Sequence, residues 1–68
     1  MEYWQFVASV KETHRPKETD QRYGQWYFNC LVQVRPDISE KIRGRRGLDP
    51  FFKEEVSKET EEFVEANW

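Results

Sequence analysis

Few side chains in this chain could do chemistry. There is one histidine, His14, and one cysteine, Cys30, sixteen positions apart. Zinc and other transition metals need imidazole or thiolate donors in groups of three or four, so a metal site here would rest on carboxylates alone. No carboxylate spacing marks one. Cys30 falls among apolar residues at helical spacing, where a small buried thiol is the ordinary outcome. His14 stands before Arg15-Pro16 and reads as a solvated loop residue. The glutamates from Glu54 to Glu65 lack the neighbour that would mark a general acid and base, and read as a solvated acidic face. No glycine pattern resembles a phosphate-binding loop. The chain therefore reads as a non-enzyme, with no catalytic residue, no metal and no cofactor.

Two sets of residues remain as candidates for binding a partner. The first is a polar strip, Arg22, Gln25, Asn29 and Gln33, made mostly of neutral amides. Amides carry both a donor and an acceptor and desolvate more cheaply than charges, so the strip could bond other chain segments or a partner, or simply be solvated. The second is the basic cluster of Lys41, Arg43, Arg45 and Arg46. Arginines on a loop could meet phosphates, but residues 37–43 are too short for a recognition helix. Partner-facing or intramolecular arginines are the stronger reading.

These residues are positioned by one stretch, Arg22 to Arg35. Tyr23, Trp26, Tyr27, Cys30, Leu31 and Val34 recur at the period of one helical face, within roughly 140° of arc. Phe28 and Val32 adjoin that arc, and together the apolar sector covers roughly two thirds of the circumference. A helix this apolar must be covered on several sides, so it is the central element, over about residues 20–35. Thr19 or Asp20 is placed to cap it. Gly24 lies in its first turn on the apolar side, where close approach of another element would account for a glycine.

The flanks read as shorter helices. Residues 3–10 fit a helix through Tyr3, Phe6, Val7 and Val10, or a strand through Trp4, Phe6, Ala8 and Val10. No other segment offers a strand partner, and an orphan strand is not stable, so the expectation is a helix. Pro16 ends it and 14–19 is a polar linker. After Arg35-Pro36, Asp37 and Glu40 have the spacing of a capping box opening a short helix, with Ile38 and Ile42 on one side and Gly44 as its left-handed stop. Asp49-Pro50 reads as a further start. Between 50 and 67 the expectation is a break at Ser57, itself a good cap, before a last helix with Phe63, Val64 and Trp68. The fold class is all-α, a small bundle of three to five short helices around the central one, in a single domain over 1–68.

Composition agrees with that picture. A 68-residue chain has a marginal core, which a content of 16% aromatic residues strengthens. The formal net charge of -2 disfavours binding nucleic acid by bulk charge. It leaves a local patch open. One cysteine fits a reducing compartment. With no apolar run near the length of a membrane span and no basic-then-apolar leader, the expectation is a cytoplasmic protein without membrane association. Residues 35–53 carry six bases against three acids, and 54–68 one base against six acids. Opposite blocks in adjacent elements attract, so the expectation is a rim of intramolecular ion pairs.

The segments Arg22-Tyr-Gly-Gln-Trp-Tyr-Phe-Asn29, Val34-Arg-Pro-Asp37, Ile42-Arg-Gly44 and Asp49-Pro-Phe51 resemble short uncharacterised bacterial and phage proteins. Those share an R-[WY]-G-Q core with a later F-N, then RPD, a glycine and DPF. The resemblance covers residues 22–64 and departs from the pattern at Arg45-Arg46. It implies a helical fold, phage or mobile-element derivation, and no particular activity. The functional expectation is thus a cytosolic helical module that binds a protein partner or a second copy of itself. The alternative is a small nucleic-acid-associated protein using the arginine loop 41–46. Candidate partner-binding residues are Arg22, Gln25, Asn29, Gln33, Arg43, Arg45 and Arg46. Aromatic ends (Tyr3, Trp4, Phe6, Trp68) either close over the central helix or serve a homodimer.

Overall fold

A computed structural model describes residues 1–68 and contains four helices and no strand. They are α1 (Tyr3–Thr13), α2 (Tyr23–Val34), α3 (Pro36–Ile42) and α4 (Lys58–Ala66). Residues 3–10 are helical, and the burial pattern shows why the helical stripe prevails over strand alternation. Phe6 and Val10 are buried, with Tyr3 and Val7 packed beside them. Trp4 and Ala8, which a strand would have put on the face of Phe6 and Val10, are exposed. Gln5 returns its side-chain oxygen to the Glu2 backbone N–H (2.8 Å), closing the first turn.

α2 is the central element. It supplies Tyr27, Phe28 and Leu31 to a core completed by Phe6 and Val10 of α1, Ile38 and Ile42 of α3, and Val64 of α4. Its deepest face is turned about one residue from the expected arc: Gly24, Tyr27, Phe28 and Leu31 are buried. Trp26 and Cys30 are half-buried, and Val34 is 40% exposed. The cause lies outside the helix. The 50–53 turn and Phe51 cover the side that carries Gly24 and Phe28. The side that carries Trp26 meets Thr13, whose Oγ1 accepts from Trp26 Nε1 at 3.1 Å.

Several expected helix starts move. α2 opens at Arg22 as N-cap without a side-chain cap, because Thr19 Oγ1 is taken up by the Gln21 N–H (3.2 Å). α3 opens with Pro36 at N1 and Arg35 as N-cap, not with Asp37 as cap. The fixed φ of proline already suits the first helical position. Asp37 then sits in the first turn and pairs with Arg35 (2.9 Å). Gly44, at φ +70°, stops α3 as expected. The Asp49-Pro50 start makes only a turn, Lys53 N–H to Pro50 O at 2.9 Å. The Lys53 carbonyl that would continue a helix accepts instead from the Gly24 N–H (3.1 Å). The break at Ser57 is present: its Oγ accepts from the Thr60 N–H at 3.1 Å and α4 begins there.

The ends close over the hub. Trp68 packs edge-on to Tyr3 (centroids 5.5 Å apart) and against Phe6 (5.1 Å), and its Nε1 donates to the Met1 carbonyl (2.7 Å). The Arg35 guanidinium lies over the Trp68 ring and donates to its main-chain oxygen. No helix is long and apolar enough to cross a membrane.

Candidate partner-binding surface

The seven candidate residues differ in exposure and in the partners they already have. In the amide strip, Asn29 is committed inside the molecule, donating to Gln21 Oε1 at 3.2 Å. Gln25 is half-buried, and only Arg22 and Gln33 are exposed. His14 is likewise no free loop residue. Its Nε2 donates to the Gln21 carbonyl (2.9 Å) and its ring meets the Tyr23 edge at 5.6 Å, so it ties the linker ends together. Cys30 is half-buried, and burial pushes its thiol pKa up, away from thiolate character.

In the basic cluster, Arg43 is engaged twice. It pairs with Glu40 (3.0 Å) and its guanidinium stands 5.2 Å from the centre of the Phe28 ring. Lys41 donates to Asn67 Oδ1 at 3.3 Å. Arg45 and Arg46 are exposed and make no ion pair or side-chain hydrogen bond. They sit between two glycines of positive φ, Gly44 (+70°) and Gly47 (+87°), which lets the loop turn back sharply on α3. Asp49 holds that loop shut, with its carboxylate accepting from the Gly44 N–H (2.6 Å) and the Phe51 N–H (2.9 Å).

The expected rim of ion pairs between the basic and acidic blocks is absent. Arg35 pairs with Asp37 and Arg43 with Glu40, each inside its own block, and the remaining salt bridge is Arg15–Glu18. Short-range partners within a turn or two of the chain satisfy the arginines first, because local pairing needs no docking of distant segments. The six glutamates between Glu54 and Glu65 are left without an ionic partner.

Sequence reasoning missed the most exposed large apolar side chain. Phe52 is 78% exposed, while Phe51 beside it packs edge-on to buried Phe28 at 5.8 Å. Phe52 in turn lies against Phe51 at 5.0 Å, so an aromatic series runs outward from the core: Phe28, Phe51, Phe52. Nothing in the order of the two phenylalanines says which one faces out; the docking of the 50–53 turn on Gly24 decides it. Phe52 stands at a groove of about 810 Å³, lined also by Lys53, Glu54, Glu55, Glu59 and Thr60. The groove is held from below. Thr60 Oγ1 donates to the Leu48 carbonyl (2.8 Å), and Gly24 N–H holds the Lys53 carbonyl. Its shape therefore depends on α2 and α4 together.

The arrangement suits binding through an aromatic anchor with charged surroundings. The hydroxyls of Ser57 and Thr60 are occupied by the helix cap and the Leu48 carbonyl. Nowhere do three His, Cys, Asp or Glu side chains converge as a metal would need. No protein-family model, curated protein or solved structure matches the chain.

Proposed function

We propose that this chain is a cytosolic, non-enzymatic protein–protein interaction module, with the turn around Phe52 as its contact surface. The supporting observation is Phe52 itself, 78% exposed on a turn that α2 and α4 hold in place. Interfaces concentrate their energy in a few aromatic and arginine side chains surrounded by polar residues. Phe52 with Arg45, Arg46 and the neighbouring glutamates has that composition. The single cysteine fits a reducing compartment, and the resemblance over residues 22–64 points to a phage or mobile-element setting.

The test is a comparative pull-down from host lysate with wild type and Phe52→Ser. The exposed position predicts an unchanged melting temperature, so a lost partner reports on contact and not on folding. Identical captured proteins with both forms would overturn the reading. A second reading, nucleic-acid association, rests on Arg45 and Arg46 having no ionic partner. It requires an affinity that falls steeply with salt, and salt-independent binding or none removes it.

A further inference from the structure

The geometry points to a second copy of this chain as an occupant of the Phe52 surface, in a two-fold dimer; this deepens the interaction reading above and rests on it. The argument starts from charge. Between Arg45 and Glu59 lie four bases (Arg45, Arg46, Lys53, Lys58) and four acids (Asp49, Glu54, Glu55, Glu59). This surface is thus neutral in sum, yet divided. The glycine-bounded loop carries two unpaired arginines on one side, and the groove carries Glu54, Glu55 and Glu59 on the other. Gly47, next to Arg46, lines the same groove, so the two halves adjoin.

A partner of one sign would meet attraction at one half and repulsion at the other. That weighs against a uniformly basic peptide and against a phosphate backbone, since the glutamates border the arginines. A second copy turned by 180° sets each arginine loop over the other copy's glutamates. A two-fold interface needs a self-complementary patch of this kind. Phe52, which lines the same groove and is 78% exposed, would then bury against the second copy as the anchor of the interface. A specific interface at the small end covers about 600 Å² per copy, roughly an eighth of the 4831 Å² accessible surface of this molecule.

The test is sedimentation equilibrium at low ionic strength on wild type, on Phe52→Ala, and on two charge variants. One variant is Arg45→Glu with Arg46→Glu; the other is Glu54→Lys with Glu55→Lys. Wild type should show a dimer dissociating in the range of about 10–100 µM, as for a small transient interface. Phe52→Ala should weaken it about 30-fold or more. Each charge variant alone should be monomeric, because one sign then predominates on both halves of its patch, while an equimolar mixture of the two should regain the dimer mass. Circular dichroism checks that all forms remain helical. A wild type that stays monomeric at high concentration overturns the inference, as does a dimer indifferent to both charge variants. If wild type is monomeric but the lysate comparison still shows a Phe52-dependent partner, only the self-association falls and the interaction reading stands.

Discussion

Replacing Gly24 by alanine should destabilise the protein, although alanine is the better helix former. Gly24 lies in the first turn of α2, and helix propensity alone favours alanine there by roughly 0.5–1 kcal/mol. The structure opposes this. A Cβ on Gly24 would fall 2.5 Å from the Lys53 carbonyl oxygen and closer still to that of Pro50. Both obstacles are backbone atoms, which cannot swing aside as a side-chain tip can. The turn must therefore move away, and overpacking of this kind costs about 1–3 kcal/mol. Moving it also stretches the hydrogen bond from Gly24 N–H to Lys53 O (3.1 Å), worth about 1 kcal/mol. The net loss is about 1–3 kcal/mol. In a domain of this size each kcal/mol lowers Tm by roughly 4–8 °C, so a drop of roughly 5–20 °C is expected. Thermal melting followed by circular dichroism at equal concentrations reads it directly. A Tm equal to or above wild type would show that nothing packs on Gly24, and the account of how the Phe52 turn is held would fail with it.

Two further predictions follow from burial. Leu31→Ala, at a fully buried position, should cost about 2–5 kcal/mol. Val34→Ala should cost less than about 1 kcal/mol, because Val34 is 40% exposed; equal losses in urea denaturation would contradict the observed facing of α2. The second concerns alkaline pH. Burial raises the phenol of Tyr3 from 10.0 to about 12, and raises those of Tyr23 and Tyr27 as well, with Tyr27 bonded to Tyr3 at 3.0 Å. Folding thus favours the neutral phenols. Their contribution is complete below pH 10, the unfolded value, and is lost as pH rises toward the folded values. Buried Tyr27 alone should remove about 1.4 kcal/mol per pH unit above about 10. Urea midpoints that stay level between about pH 9 and pH 11.5 would refute this.

The all-α class, the central helix and the positions of α1, α3 and α4 were legible from local information. Periodicity, Pro16, Pro36, Gly44 and the Ser57 cap act over a few residues, and the chain cannot evade them. What could not be read were the properties set by contacts distant in sequence. Arg35, Arg43 and the two charged blocks illustrate this. Counting charges placed the blocks against each other, but geometry gave Arg35 to Asp37 and Trp68, and Arg43 to Glu40 and Phe28. His14, read as a solvated loop residue, and Asn29, whose strip was read as solvated or bonded to other segments or a partner, are held by the Gln21 carbonyl and side-chain oxygen. The facing of α2 turned by a residue because the 50–53 turn docked on Gly24, a contact between segments distant in sequence. That same docking ended the expected helix after Pro50 and left Phe52 pointing outward. Sequence alone determined the helical class and the approximate place of each of the four helices, since periodicity, prolines and caps act among neighbouring residues. Tertiary structure decided which faces they bury and which aromatic and charged side chains remain free, since those depend on where distant segments come to rest.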